Sequence, residues 1–361
     1  MRRVRRGTGS RISRLAGLAG LAGLAVAGAL LLAGCGEYPG ATVQAKEVHH
    51  LYNILFFWAT VVFVLVEGLI LFAVVRWRRR DDQLPPQFHG NTLLETAWTI
   101  GPLILVASLA VLGFQVLHKV DAEAANPDVT VNLVGFQWQW SFTYQGVKVQ
   151  VPGEQPQDLT IKGSIAKPPD IYLPVGKRIH FNEQSKDVIH SFYIPEFLFK
   201  RDVFPDHVNS FEITITRPGA YRGQCAQYCG LAHNAMHFTV HAVDTTRYQT
   251  WLAQQVKQAQ SGCPADTTPG RLAAKNTAYD KDCLSAQGGK PFTLAFDDQE
   301  AVPHNVAIFK GNNANGPNVF RGAIVTGPKA IQYHVGVLQR GTYFYHCDVH
   351  PTAMTGKLVV R

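Results

Sequence analysis

The sequence predicts a mainly β protein carried on a transmembrane α-hairpin, with two Greek-key β-barrels after the hairpin. Three observations predict it. Two apolar runs near the start are each long enough to cross a bilayer, which takes about 20 residues. From about residue 128 the texture changes to short β-branched and aromatic runs broken by Gly, Pro, Asn and Asp. A His…Tyr…Cys pattern then occurs twice, once in each β-rich block. Charged residues are 17% of the 361, below the ~25% usual for soluble chains. The net charge of +8 does not indicate a nucleic-acid partner: six of the positive charges are Arg2, Arg3, Arg5, Arg6, Arg11 and Arg14, which leaves +2 on residues 35–361.

Residues 1–34 read as a lipoprotein signal peptide: an arginine-rich start, an apolar run and small residues before a cut site. Leu32-Ala33-Gly34-Cys35 resembles a bacterial lipobox, which makes Cys35 the lipidated residue. An ordinary signal peptide or an uncleaved helix is the other reading. Residues 35–125 form the hairpin, with spans at about 51–75 and 97–117 and a kink expected at Gly101-Pro102. Arg76, Arg78, Arg79 and Arg80 put the connecting loop in the cytoplasm. Both ends then face the outer side of a bacterial cell membrane, in agreement with processing at Cys35. Glu67 lies within the first span, and Glu95 at the cytoplasmic mouth of the second.

The β-rich blocks are residues 126–245 and 271–361, separated by a helix and linker at 246–270. Strands are expected at 129–133, 178–181, 210–215 and 238–243. The first block has His190-Ser191-Phe192-Tyr193-Ile194 and then Gly219-Ala220-Tyr221 before Cys225. The second has His304-Asn305-Val306-Ala307-Ile308 and then Gly341-Thr342-Tyr343 before Cys347. In both, Tyr precedes Cys by four residues, and the Cys opens a loop holding another His and a Met.

Those loops carry the chemistry. Cys225, Cys229, His233 and Met236 in one loop, with His190 from an earlier strand, offer thiolates, imidazoles and a thioether. Soft sulfur with imidazole suits copper or zinc. Zinc in a Cys₂His₂ tetrahedron would leave Met236 without a use, and a Cys225–Cys229 disulfide is the alternative that an exported chain allows. His304, Cys347, His350 and Met354 supply one thiolate, two imidazoles and a weak axial thioether, the ingredients of a mononuclear type 1 copper centre. Cys263 and Cys283 have no histidine neighbours in sequence and are expected to form a disulfide.

At these residues the chain resembles subunit II of a bacterial heme-copper cytochrome c oxidase over residues 45–260. The resemblance is carried by the hairpin, Leu94-Glu95-Thr96-Ala97-Trp98-Thr99, Gly135-Phe136-Gln137-Trp138-Gln139-Trp140, Asp187-Val188-Ile189-His190-Ser191 and the Cys225–Met236 loop. It implies a dinuclear CuA centre in a cupredoxin-like barrel, with Cys225 and Cys229 bridging, His190 and His233 capping, Met236 a weak ligand and Gln227 giving its backbone carbonyl. It also implies Trp138 as the electron inlet, Asp187 in donor docking and Glu95 at the mouth of a proton channel. The implied partners are subunits I and III and cytochrome c or a similar soluble donor. Gln227 stands where many relatives carry a glutamate that helps hold magnesium, so that ion loses a ligand here. Residues 271–361 resemble a plastocyanin-like cupredoxin, in which a type 1 copper would serve as a tethered electron donor; copper storage or assembly is the alternative role. The resemblance makes the chain part of a proton-translocating oxidase complex, with no oxygen-reducing residues of its own.

Overall fold

The structure, a computed structural model, describes residues 40–78, 89–151, 155–165, 167–260, 263 and 269–361. The signal segment, Cys35, Arg79 and Arg80 lie outside the described residues.

Helix α1 spans Val43–Arg76 and α2 spans Thr92–Val120. Both are longer than the apolar runs because polar caps extend them. Thr42 Oγ1 accepts from Ala45 N, and Asn91 Oδ1 accepts from Leu93 N and Leu94 N. Pro102 lies inside α2, which continues through it. Leucine, valine and phenylalanine side chains are exposed along both helices, as a lipid-facing surface requires.

The hairpin is keyed into the first barrel at its outer end. Ala41 and Ala45 are fully buried, Ala41 N donates to Glu196 O, and Thr214 N donates to Gln44 Oε1. On the α2 side, Arg201 pairs with Asp121 at 2.8 Å and Ser210 donates to Glu123 at 2.7 Å. The barrel therefore stands on both helices.

The first barrel comprises β1 (Val129–Phe136), β2 (Gln139–Val149), β3 (Gln157–Lys162), β4 (Asp170–Pro174), β5 (Arg178–Ser185), β6 (His190–Ile194), β7 (Phe199–Val203), β8 (Asn209–Thr214), β9 (Gly219–Cys225) and β10 (His237–Val243). They form two sheets, ordered β3-β2-β1-β5-β8 and β4-β10-β9-β6-β7. Helix α3, Thr245–Gln260, follows and packs Tyr248, Trp251 and Leu252 on the barrel; Trp251 stacks on Tyr172 at 4.8 Å.

The second barrel comprises β11 (Arg271–Lys275), β12 (Ala278–Tyr279), β13 (Cys283–Ala286), β14 (Phe292–Asp298), β15 (Pro303–His304), β16 (Ala307–Lys310), β17 (Asn318–Arg321), β18 (Val325–Thr326), β19 (Lys329–Val335), β20 (Gly341–His346) and β21 (Thr355–Val360). Its main sheets, β12-β11-β14-β19 and β13-β21-β20-β16-β17, repeat the first barrel's order, lacking a counterpart of β3 among the described residues. The parallel pairs recur as well: β1 with β5 matches β11 with β14, and β4 with β10 matches β13 with β21.

The sequence repeat has a structural cause at its tyrosines. Tyr221 Oη donates to Arg217 O and Tyr343 Oη to Gln339 O, each at 2.9 Å, so both barrels turn the same corner before the cysteine strand. A glycine and an aromatic ring face each other two residues beyond, with places exchanged. Gly223 on β9 pairs with Phe238 on β10, and Tyr345 on β20 pairs with Gly356 on β21. The rings fill the space that the missing side chains leave.

Candidate metal centres

Both sites sit where the cysteine strand meets its loop, and both are closed by the same bonds. Cys225 N donates to Met236 O and Cys347 N to Met354 O, each at 3.0 Å. The residue after the first histidine ties down the residue after the cysteine. Ala226 N donates to Ser191 O at 3.0 Å, and Asp348 N donates to Asn305 Oδ1 at 2.8 Å. Two loops of different length are thus closed by the same bonds.

In the first site Cys225 Sγ and Cys229 Sγ are 3.8 Å apart. His190 Nδ1 lies 3.9 Å from Cys225 Sγ, and His233 Nδ1 lies 3.4 Å from Cys229 Sγ. Met236 Sδ is 3.9 Å from Cys229 Sγ, and the Gln227 carbonyl oxygen is 3.2 Å from Cys225 Sγ. Both cysteines are free thiols, so the structure contains no Cys225–Cys229 disulfide. A hydrogen bond from Cys229 holds Cys225 well below the ordinary thiol value, and the same contact, with burial, pushes Cys229 up. A lowered value at Cys225 favours the thiolate, the form that binds soft metals.

In the second site Cys347 Sγ is 3.8 Å from His304 Nδ1 and 3.9 Å from His350 Nδ1, and the two Nδ1 atoms are 3.2 Å apart. Met354 is fully buried in the core cluster that includes Cys347. Cys263 and Cys283 are joined as a disulfide with Cα atoms 5.4 Å apart. His334 is 3.2 Å from Thr293 Oγ1, and His346 lies 3.4 Å from Asp348, so both point elsewhere than the site.

The donor chemistry fits a metal. His190 Nε2 is 2.8 Å from Asp187 Oδ1, and His304 Nε2 is 2.9 Å from Glu300 Oε1. A carboxylate that accepts from Nε2–H leaves Nδ1 with its lone pair, and in both sites Nδ1 is the nitrogen turned to sulfur. Burial lowers the His190 pKa, but the hydrogen bonds and charges of Asp187 and Cys225 together outweigh it and the net shift is upward. Asp187 also accepts from Gln137 N at 2.7 Å and Val188 N at 2.7 Å. Burial raises its pKa, yet these bonds bring it below the ordinary carboxylate value. Its oxygens are thus engaged by groups of the protein, with the side chain part-buried. Sequence reasoning missed Glu300; an acid three or four residues before the first histidine of each block is the signal that could have found it.

The remaining residues of interest lie as follows. Trp138 is at the β1–β2 turn, and its Nε1 donates to Cys229 O at 3.0 Å, beside the Gln137 Nε2 bond to the same oxygen at 2.8 Å. Gln227 is exposed. Glu95 is exposed at the start of α2, and its Oε1 accepts from Asn91 N at 3.2 Å, which caps the helix.

Fold and ligand sets together define a membrane-anchored protein of two copper-binding cupredoxin barrels. Three family models match the chain: the transmembrane domain of cytochrome c oxidase subunit II over residues 33–116, its periplasmic domain over 129–243, and a cupredoxin-like domain over 248–360. A Streptomyces avermitilis protein described as probable cytochrome c oxidase subunit 2 is 34% identical over 282 residues, 66% of this chain and 88% of the relative. A Mycobacterium bovis cytochrome c oxidase subunit 2 is 32% identical over 273 residues, 62% of this chain and 75% of the relative. Among solved structures, the periplasmic domain of cytochrome oxidase subunit II from Bradyrhizobium japonicum matches at 25% identity and TM-score 0.31, covering 38% of this chain and 99% of that one. The chain belongs to the cytochrome c oxidase subunit II family. It is therefore one part of an oxidoreductase complex, a membrane protein with a periplasmic domain, and its cofactor is copper.

Proposed function

We propose that the chain is the electron inlet of a respiratory cytochrome c oxidase, passing electrons from its first site to heme in subunit I, where oxygen is reduced and protons are pumped. The observation that carries this reading is the pair of thiols 3.8 Å apart, each with an imidazole Nδ1 within 4 Å. That set, with Met236 and the Gln227 carbonyl, fits a dinuclear CuA centre. His304, Cys347 and His350, with Met354 buried beside them, fit one type 1 copper. Copper in either site supplies one-electron chemistry with no proton to move.

The chain's own residues hold the donors still. Asp187 and Glu300 pin the imidazoles, and the loop-closing bonds fix the thiols, so the same geometry serves both oxidation states. The Trp138 indole, bonded to the Cys229 carbonyl, reaches the ligand loop directly, which supports its role as inlet. Glu95 at the cytoplasmic end of α2 is proposed as the mouth of a proton channel completed by subunit I, with subunit III the further partner. Asp187 is proposed to orient His190, donor docking being a secondary role. Cys35 is proposed as a lipid anchor on the outer face of a bacterial cell membrane. Gln227 offers no carboxylate, so magnesium has no place in the proposal.

The tail barrel is proposed as a tethered donor that delivers electrons from cytochrome c, or a similar soluble carrier, to CuA at high effective concentration. Oxidase lacking residues 262–361 tests this. Slower turnover with the native donor at full CuA occupancy supports the donor role. Unchanged turnover refutes it, and low CuA occupancy favours the copper-assembly role instead.

A further inference from the structure

Strand alternation places the side chains of β1 and β2 on two faces. Val131, Leu133, Trp140 and Phe142 face the core of the first barrel. Phe136 and Gln139, paired across the β1–β2 turn, fall on the other face, where a phenylalanine and a glutamine would ordinarily be open to water. Both are closed off instead: Phe136 is 1% exposed and Gln139 4%, yet neither belongs to a barrel core.

The tail's metal-binding loop is what meets this face. Gln139 Nε2 donates to Ala353 O at 3.0 Å, and Lys162 Nζ donates to Thr355 Oγ1 at 2.7 Å. Lys162 also lies over the Phe136 ring at 5.1 Å from its centroid. Ala353 and Thr355 flank Met354, whose carbonyl accepts from Cys347 N. Gln139 in turn follows Trp138, which is bonded to the Cys229 carbonyl. A continuous covalent and hydrogen-bonded connection thus runs from Cys347 through Met354 and Ala353 to Gln139, then through Trp138 to Cys229.

We infer that Phe136, Gln139 and Lys162 form a docking face for the tail's own ligand loop, holding the second site in register with the inlet tryptophan. The soluble donor then meets the tail barrel, and Trp138 receives its electrons from within the chain. The inference rests on the tethered-donor reading for its purpose but not for its geometry. In the step it serves, one electron leaves the tail site, which is oxidised by one unit, and reaches the first site, which is reduced by one. A soluble one-electron donor then re-reduces the tail site, and no bond or proton changes hands.

The test uses purified oxidase with the full chain and the double variant Gln139→Glu, Lys162→Met. The first change is isosteric and sets an acceptor against the Ala353 carbonyl; the second keeps the stem and removes the donor. Neither residue is a metal ligand, so the EPR signals of both sites serve as the folding control. The first readout is amide hydrogen exchange over residues 347–357. The second is the rate at which an electron placed on the tail site by a photoexcited ruthenium complex arrives at the first site. The docking face predicts faster exchange over this loop and a transfer rate lower by about tenfold or more. Exchange and rate both equal to the parent protein would overturn it. A parent protein with a protected loop, released in the variant, but with no internal transfer at all would uphold the docking face and refute the donor reading.

Discussion

Replacing Gly223 by alanine tests whether the ring-over-glycine pair sets the packing around the first site. A Cβ built on Gly223 stands 2.5 Å from Cε1 of Phe238 and closer still to Cζ and Cε2. Carbon contacts settle near ~3.5–4.0 Å, so the ring must retreat by about 1 Å or more. It has nowhere to go: Phe192, Phe142 and Trp140 surround it with centroids at 5.0, 5.4 and 5.6 Å, and all are fully buried. Overpacking of this kind costs about 1–3 kcal/mol, and the closed surroundings argue for about 2. For a domain of this size, matched over residues 129–243, that lowers the melting temperature by about 8 °C. Calorimetry of the full chain, with the two barrels' transitions resolved, reads the shift. The mirror change Gly356→Ala drives a Cβ to 2.7 Å from Cε1 of Tyr345 and should lower only the tail's transition. Trp140 lies 6.0 Å from the His190 ring, so Gly223→Ala should also alter the copper spectrum of the first site. A Gly223→Ala melt within about 2 °C of the parent would refute the packing argument.

Three further outcomes are expected. Glu183 is fully buried with both carboxylate oxygens unbonded, and burial pushes its pKa from the ordinary 4.5 up to about 8. The folded state keeps this proton where the unfolded state releases it, so stability falls as pH rises from 4.5 to about 8. Glu183→Gln should then match the parent near the low end and exceed it by about 2–4 kcal/mol in urea unfolding at the high end; equal stability at both would contradict this. Tyr343→Phe should cost the tail barrel about 1 kcal/mol through the lost bond to Gln339 O, and Tyr221→Phe the same for the first barrel, read by the same calorimetry. Asp187→Asn and Glu300→Gln should each weaken copper retention against a chelator by about 10–100-fold. An Asp187→Asn protein with full retention but weakened donor binding would return that residue to the docking role.

The clusters of donor side chains were legible because they are local. Cys225 to Met236 and Cys347 to Met354 each lie in one loop, and only His190 and His304 come from elsewhere, marked by the repeat. The fold class was legible for a related reason: two copies of one architecture leave the same Tyr-to-Cys spacing, and each of those tyrosines makes the same corner bond to the carbonyl four residues before it. Asp187 was visible but its engagement was not, since three of its hydrogen bonds depend on how the β1–β2 turn and the following loop close. The exchange of Gly223 and Phe238 for Tyr345 and Gly356 preserves a contact rather than a residue type, so it leaves no motif. Gln139 and Ala353 are 214 positions apart, and nothing in either neighbourhood marks them as partners. Long-range contacts of that kind emerge only when both barrels are in place.

The central claim is that the chain holds two different copper centres, and the most direct measurement is copper content with EPR on the purified full-length chain. The account predicts about three copper ions per chain, with a delocalised dinuclear signal beside a mononuclear type 1 signal. About two ions with the dinuclear signal alone would contradict it, leaving the His304, Cys347, His350 set without a metal and the tail without an electron to give.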